Sequence, residues 1–219
     1  MKNINTVGST IYQNIKKDII FGKLAPSSKL KLDKMKLNYP ASMSTLRETL
    51  NRLSSEGFVL AEEQRGFFVA PVTHEDLKEI ANLRILLECH ALKLSVENGN
   101  TDWEGNLVAA HHKLHLLEKE MLSGNTANKE EWKRYDWEFH LALISECGSK
   151  NLITLHSLLY DKYLRYQMLV LTYRGGEAVQ EHKDIFEAAL QRNATLATKV
   201  LKQHIIKGLE HTLEGYEFE

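Results

Sequence analysis

The 219-residue sequence has little of what secreted and membrane proteins need. It contains two cysteines, Cys89 and Cys147, which lie far apart and form neither a close metal-binding motif nor a redox motif. Both fall on apolar helix faces, so we expect them to be reduced core residues. No apolar run approaches the roughly 18 residues of a membrane span, and the opening MKNINTVGST lacks the apolar core of a secretory signal. These absences predict a cytoplasmic protein with no membrane partner.

Signatures of repeat proteins and of helical metalloenzymes are also missing. The sequence has no internal repeat and no low-complexity tract. It has neither the His-Glu-x-x-His motif of zinc proteases nor the Glu-x-x-His pairs of di-iron bundles. With 43% hydrophobic and 26% charged residues, it can build an ordinary core. A chain of this length is expected to form one large or two modest domains.

Charge is distributed unevenly along the chain, although the net charge is only −1. Residues 1–73 hold 11 Lys and Arg against 6 Asp and Glu, whereas the remainder holds 17 against 23. A basic first third suggests contact with a polyanion. The alternative is a merely uneven surface, which is common on small basic domains.

The first third has the pattern of three helices followed by a β-hairpin. Apolar residues recur at a helical spacing over residues 7–21. LDKMKL predicts a short second helix, and SMSTLRETLNRLSSEGFV predicts a third one, capped by Ser42 or Ser44. VLAEEQRGFFVA alternates about a turn at residues 64–66, which is typical of a hairpin. The pattern predicts a winged helix-turn-helix domain over residues 1–72.

In a winged helix-turn-helix domain the third helix enters the major groove by its N-terminal end. Small hydroxyl side chains there donate hydrogen bonds to phosphates, and an arginine is long enough to reach a guanine edge. The wing tip is expected near the DNA backbone or the minor groove. The candidate DNA-binding residues are Ser42, Ser44, Thr45 and Arg47 on the helix, with Arg65 and Gly66 at the wing tip. The alternative for Arg47 is a pairing with a neighbouring carboxylate.

From residue 74 onward the sequence predicts only helices. Pro71-Val72-Thr73 interrupts the periodicity, so the boundary is placed there and the second domain covers residues 73–219. Six helices are expected at about 75–98, 102–123, 128–147, 151–172, 178–192 and 194–214. Their lengths and short connections predict an all-α six-helix bundle with a central cavity. The fold class of the whole chain is therefore mainly α.

Ionisable side chains fall on the apolar faces of three of these helices. In WKRYDWEFH, Asp136 and His140 are four residues apart and share an apolar face. His182 and His204 occupy the apolar faces of the last two helices. A buried charge is costly unless it is paired or binds a metal. One carboxylate and three imidazoles suit Zn²⁺, with nickel or another transition metal as alternatives. For any single histidine, a core imidazole satisfied by a hydrogen bond is the alternative.

Two arginines are candidates for binding an acidic ligand. Arg84 lies on the inward face of the first long helix, with Glu88 one turn later. It either pairs with Glu88 or holds an acid by a bidentate contact. Arg165, at the edge of an apolar face, is the second candidate.

SMSTLRETLNRLSSEGFV resembles the signature of GntR-type bacterial transcription regulators, and the resemblance covers roughly residues 6–71. Many members have DNA-contacting arginines at the position of Met43 and near Asp33. Their absence here leaves Arg47 with more of the expected base recognition.

The helical remainder is similar to the FCD ligand-binding domain in the fatty-acid-regulator branch of that family. The similarity lies in Leu83-Arg84 with Leu87-Glu88, Asp136 with His140, Glu181-His182 and Gln203-His204. It implies that Asp136 and the three histidines bind a divalent metal that a small organic acid coordinates. It also favours the ligand-binding role for Arg84. CGSKNLITL is similar to a helix junction of the family, which implies a capping or pocket role for Asn151.

These features predict a DNA-binding transcriptional regulator rather than an enzyme. A small organic acid at the metal would control operator affinity by binding one state of the protein better than the other. A homodimer formed through the helical domain would read a pseudo-palindromic DNA operator. Two alternatives stay open: a helical metal-dependent enzyme acting on a small carboxylic acid, and a regulator whose metal is purely structural.

Overall fold

The computed structural model describes residues 6–125, 129–170 and 173–215. Helices and short strands alternate first: α1 (Val7–Ile20), β1 (Lys29–Leu30), α2 (Leu32–Asn38), α3 (Met43–Ser55), β2 (Val59–Glu62) and β3 (Gly66–Val69). Longer helices follow: α4 (His74–Asn98), α5 (Thr101–Leu122), α6 (Lys129–Ile144), α7 (Lys150–Val170), α8 (Gly176–Leu190) and α9 (Ala194–Gly215). This architecture confirms the predicted mainly α fold, a winged helix-turn-helix followed by helices. The predicted start of α6 at residue 128 and the predicted end of α7 at residue 172 lie outside the described residues.

The first helices begin at side chains that cap them. Thr6 Oγ1 accepts a hydrogen bond from the backbone N of Ser9 at 3.2 Å, at the start of α1. Ser42 Oγ caps α3 in the same way, accepting from Thr45 N at 3.1 Å. Each cap satisfies a backbone donor that the helix itself leaves unpaired. The apolar sides of these helices are buried with the wing, through Ile11, Ile15, Ile19, Leu46, Leu50, Leu53, Phe58 and Val69.

The sheet of the wing has three strands, where the sequence predicted two. β2 and β3 are antiparallel, with Val59 opposite Val69. β1 pairs with the other edge of β3, with Lys29 opposite Phe68, so β3 is the central strand. A strand of two residues is too short to show alternation, so the sequence does not predict it.

Contacts group the chain into two compact units, and α7 contributes to both. The first unit holds the residues up to 76 together with Asp161–Val170, and the second holds the remaining helical segments. Within the first unit, Asp161 Oδ2 lies 2.7 Å from Lys16 Nζ. The sequence placed the whole of 73–219 in the second domain. Helical periodicity assigns residues to a helix, but it carries no information about which core each half of a long helix joins.

The second unit is built on one apolar core. α5 packs against α6 and α8, and α8 packs against α9. Trp103 is buried there, and its Nε1 donates a hydrogen bond to the carbonyl of Ala142 at 2.9 Å. Fully burying one large apolar side chain stabilises the fold by about 1.5–3 kcal/mol. Protein cores are closely packed, so the polar side chains that these helices direct into the core have little freedom to move.

Within the described residues, none of the helices is both long enough and apolar enough to cross a lipid bilayer.

Candidate metal centre and DNA-binding face

Three histidines from three helices converge in the second unit. His140 lies on α6, His182 on α8 and His204 on α9, and all three side chains are buried. Each offers a ligand atom, and these atoms lie within 4.8 Å of one another. The ring centroids are 4.6 Å apart for His182 and His204 and 5.3 Å apart for His140 and His204. The buried neighbours Leu143, Ile185 and Leu201 on the same helices anchor the faces from which the imidazoles project.

Asp136 completes the cluster from one turn before His140. Its Oδ1 lies 3.3 Å from His182 Nε2 and 3.9 Å from His140 Nε2. Its Oδ2 accepts hydrogen bonds from the hydroxyl of Tyr160 at 2.6 Å and from Lys133 Nζ at 3.4 Å. One carboxylate oxygen is thus held from behind while the other faces the imidazoles. The structure brings the four predicted metal ligands together.

The donor set fits a divalent metal ion. Three imidazole nitrogens and one carboxylate oxygen are ligands that Zn²⁺ and its neighbours in the transition series accept. His182 Nε2 is buried and has no hydrogen-bond partner among the described residues. An unpaired buried nitrogen of this kind costs about 1–3 kcal/mol, and coordination would remove that cost. The orphaned atom points to a ligand at this position.

Without a metal, the electrostatics of the cluster favour an anionic Asp136 beside two neutral imidazoles, those of His140 and His204, and a charged His182. Burial alone would raise the pKa of Asp136, but the charge of Lys133 and the close contact with His182 hold that pKa well below its usual range. Burial lowers the pKa of His140 and His204, which keeps both rings in the neutral form that coordinates metals. Burial also disfavours charge on His182, yet its close contacts with Asp136 and Glu118 raise its pKa to about 9.

Arg84 is a buried cation beside this cluster. Its Nε donates to Glu88 Oε2 at 2.8 Å, and its Nη2 lies 3.2 Å from His140 Nδ1. The guanidinium carbon is 4.5 Å from the centroid of the Tyr160 ring. Burial would raise the pKa of Glu88, but the charges of Arg84 and His140 bring it well below the ordinary value. Arg84 therefore makes the predicted intrahelical pair and also lies against a predicted metal ligand.

Two other predicted effector contacts lie elsewhere. Asn151 is exposed in the first turn of α7. The side chain that caps this helix is Ser149, whose Oγ accepts from Leu152 N at 3.2 Å. Arg165 belongs to the first unit and donates hydrogen bonds to the carbonyls of Ala70 and Pro71. The predicted roles of Asn151 and Arg165 in binding an effector stay predictions.

Sequence reasoning missed Glu118, the carboxylate behind His182. Glu118 lies in HHKLHLLEKE, a stretch with the composition of a solvated helix surface, yet its side chain is completely buried. It follows the buried Leu114 by four residues, and that spacing was the available signal. Arg174, just before α8, was also missed. It donates to Glu181 Oε2 at 2.6 Å and lies 3.1 Å from His204 Nδ1.

The predicted DNA contacts lie at one face of the first unit. Ser42 Oγ is 2.9 Å from both Ser44 Oγ and Thr45 Oγ1. Arg47 is exposed one turn later and lines a cleft between α3 and the wing. Lys29 and Lys31 line the same cleft together with the acidic side chains of Asp33, Glu62 and Glu63, so the cleft has mixed charge.

The wing tip is exposed. The Arg65 side chain is 71% exposed and its Nη1 forms an ion pair with Glu62 Oε2. Gly66 has φ of +93°, a conformation that residues with a side chain rarely adopt. Because position 66 is a glycine, β3 can begin directly after the turn.

Comparisons with known protein families agree with both units. Residues 8–69 match the model of the bacterial regulatory proteins of the gntR family. Residues 79–207 match the model of the FCD domain. The chain is 34% identical to the HTH-type transcriptional regulator BphR of Paraburkholderia xenovorans (strain LB400), over 93% of this chain and 84% of BphR. It is 29% identical to the HTH-type transcriptional repressor GlaR of Escherichia coli (strain K12), over 89% of this chain and 90% of GlaR.

Solved structures share the fold. Escherichia coli McbR/YncC superposes with a TM-score of 0.82 at 18% identity, covering 98% of this chain and 100% of that one. A GntR regulator from Rhodococcus sp. RHA1 gives 0.77 at 20% identity, covering 96% and 99%. The FCD model matches more than half of the chain, and the gntR-family model matches residues 8–69 ahead of it. The chain therefore belongs to the GntR family of bacterial regulatory proteins and combines a DNA-binding domain with an FCD domain, which makes it a transcriptional regulator and not an enzyme.

Proposed function

We propose that this DNA-binding regulator is controlled by a small organic acid bound at a divalent metal, with zinc as the first choice. Asp136, His140, His182 and His204 would hold the metal. The observation that carries the proposal is the convergence of these four buried groups from three helices, with a buried nitrogen of His182 left without a hydrogen bond.

The residues around the centre suit an organic acid. A bound metal would supply positive charge and an open coordination position to a carboxylate oxygen. Arg84 adds guanidinium donors next to His140, and its pairing with Glu88 fixes the orientation of the guanidinium. In a buried site of low dielectric, these fixed charges act more strongly than they would in water. Asn151 and Arg165 stay candidates for further contacts with the effector.

The first unit would read the operator. The hydroxyls of Ser42, Ser44 and Thr45 would contact phosphates at the start of α3, and Arg47 would reach a base edge in the major groove. Arg65 and Gly66 at the wing tip would approach the backbone or the minor groove. The exposed position of Arg47 between α3 and the wing supports this orientation.

We further propose a cytoplasmic homodimer that binds a pseudo-palindromic operator. Leu83 and Leu86 on α4 are 47% and 65% exposed, respectively, and would be covered in a dimer formed through the helical domain. Large exposed apolar side chains that lie close together are typical of protein interfaces. A two-fold dimer presents two equivalent recognition helices, which matches an operator with two half-sites.

The test starts with elemental analysis of the full chain, followed by thermal-shift screening of organic acids against zinc-loaded protein. An acid at about 100 times its dissociation constant adds ~2.7 kcal/mol of stability. A DNA fragment selected by the protein from a random pool then serves as the operator, and its affinity is measured with and without the acid.

The outcomes separate the alternatives. The proposal expects a stabilising acid to change operator affinity at least several-fold, and expects His182→Ala to abolish that response. His112→Ala, at an exposed histidine on α5, is the matched control and should behave as the wild type. A metal that is present while operator affinity ignores every stabilising acid would assign the metal a structural role. A protein that binds no zinc after reconstitution would overturn the centre itself.

A further inference from the structure

Each histidine of the cluster has a glutamate on its outer edge. Glu88 on α4 contacts His140 Nδ1. Glu118 Oε1 on α5 lies 2.6 Å from His182 Nδ1, and Glu181 Oε2 on α8 lies 2.9 Å from His204 Nδ1. The glutamates are 9% exposed or less. The same arrangement thus occurs three times, on three different pairs of helices.

These contacts decide which ring nitrogen faces the centre. An ionised carboxylate only accepts hydrogen bonds, so His182 Nδ1, whose partner among the described residues is Glu118, must carry a proton. The lone pair of a neutral ring is then on Nε2, at the opposite edge. At His182 and His140 that Nε2 is the atom nearest to Asp136 Oδ1, at 3.3 and 3.9 Å. The proton on the outer nitrogen therefore leaves the inner nitrogen ready to coordinate a metal.

Two of the three glutamates also form ion pairs with arginine or lysine side chains. Glu88 is paired with Arg84, 2.8 Å away. Glu181 is paired with Arg174 at 2.6 Å and with Lys207 at 3.0 Å. Replacing either residue would break an ion pair as well as a contact to histidine. Neither one isolates the effect of the carboxylate on its imidazole.

Glu118 is different. Its side chain is completely buried, and its Oε2 has no hydrogen-bond partner among the described residues. His115 Nδ1 lies 3.9 Å from this Oε2. A buried carboxylate without a close cation is costly. In the part of the chain that the structure covers, its one hydrogen bond is to His182, so this contact accounts for the position of the carboxylate.

On the basis of the function proposed above, we infer that Glu118 is a positioning residue: it fixes the His182 ring with Nε2 facing the metal, and the binding affinity for a divalent cation depends on it. Groups behind metal-binding histidines orient the ring and increase its basicity, and their loss typically lowers metal affinity about 10–100-fold. Glu118 does not touch the metal.

The test compares Glu118→Leu, Glu118→Gln and the control Glu120→Gln, an exposed glutamate on the same helix. Dissociation constants for Zn²⁺ are measured by competition with a chromophoric chelator, and Co²⁺-loaded protein gives a visible spectrum of the coordination sphere. Glu118→Leu should bind about 10–100-fold more weakly than wild type. Glu118→Gln keeps an accepting oxygen but not the charge, so it should fall between the two, and Glu120→Gln should match the wild type. Circular dichroism of the metal-free variants checks the fold.

A folded Glu118→Leu variant with a wild-type dissociation constant would overturn the inference. If that variant fails to fold, ¹⁵N spectra of zinc-loaded wild type decide instead: the inference requires His182 to bind through Nε2 with a proton on Nδ1, and coordination through Nδ1 contradicts it. If the wild type binds neither Zn²⁺ nor Co²⁺, the proposed metal centre is wrong, and with it the positioning role. The readouts therefore distinguish failure of the inference from failure of the proposed function.

Discussion

The orientation of Asp136 and His182 at the centre is set by hydrogen bonds to residues outside the group of ligands. Asp136 is held by Tyr160 and Lys133, and His182 by Glu118. Each ligand is thus aimed by a neighbour on another turn or another helix. A ligand that is already oriented loses less conformational entropy on binding a metal. This pre-orientation gives the substitutions below definite consequences.

Removing any one of the three imidazoles should lower metal content sharply. His140→Ala, His182→Ala and His204→Ala each delete a ligand, and the effect should exceed the roughly 10–100-fold change expected for a group behind the ligands. Metal content after dialysis against a dilute chelator, measured by elemental analysis, checks this. His112→Ala, at an exposed position, should retain the wild-type content. Full metal occupancy in all three variants would show that these histidines do not form a metal site.

Arg47→Ala should reduce discrimination between operator and unrelated DNA. A bidentate contact from arginine to a guanine edge contributes about 1–3 kcal/mol of discrimination. The ratio of the two dissociation constants, measured at one salt concentration, reports this loss. Arg134→Ala on α6, another exposed arginine, is the control. An unchanged ratio in Arg47→Ala would show that α3 reads DNA through other residues.

Residue-level prediction succeeded where a polar side chain interrupted an apolar face. Asp136 and His140 stood out in this way, and the structure brings them together with the other two histidines. Glu118 was hidden because histidines and lysines surround it in the sequence. The helical spacing placed Arg165 at the edge of an apolar face, and in the structure its guanidinium binds backbone carbonyls. Spacing shows that a side chain points inward, whereas the identity of its partner depends on tertiary contacts.

Helices and strands were predictable in proportion to their length. The expected helices at about 75–98 and 194–214 match α4, His74–Asn98, and α9, Ala194–Gly215, within about one residue. Both carry long periodic patterns that leave little ambiguity. The strand β1 was missed because Lys29–Leu30 is too short to show a pattern. Pairing with β3 creates it, and pairing is a non-local property.

The start of α3 should depend on its cap. Ser42 Oγ accepts the hydrogen bond of Thr45 N, so Ser42→Ala leaves that donor without its partner. Loss of such a cap costs about 0.5–2 kcal/mol of stability. Urea unfolding followed by circular dichroism measures it. Ser44→Ala removes a neighbouring exposed hydroxyl that caps nothing, and it should cost clearly less. Equal losses in the two variants would contradict the capping role.

For the molecule as a whole, the sequence located the change from a winged domain to helices, but it could not show that α7 supplies part of the first unit. The uneven charge was informative, since the basic residues 1–73 form the family's DNA-binding domain. The segment Asp161–Val170 had no such signature. Its membership depends on contacts such as that of Asp161 with Lys16, which join residues far apart in the sequence.

A fragment of residues 1–76 should therefore be less stable than the same fragment joined by a flexible linker to residues 161–170. The short fragment leaves Lys16, whose side chain is 12% exposed, without its 2.7 Å partner Asp161. It also leaves the carbonyls of Ala70 and Pro71 without the guanidinium of Arg165. Thermal unfolding of both fragments provides the comparison. A linked fragment carrying Asp161→Ala and Arg165→Ala is the control, and it should lose most of the gain.

The two cysteines are free, so no disulfide joins distant parts of this chain. His140, His182 and His204 converge from α6, α8 and α9, which lie far apart in the sequence. A cation bound by all three would join these helices as a disulfide does in other proteins, but the link could be removed by taking the metal away. The folded lifetime of the protein would then depend on metal supply. Under metal starvation, the C-terminal helices should become substrates for proteases before the winged domain does, and the cell would lose the regulator as well as its signal.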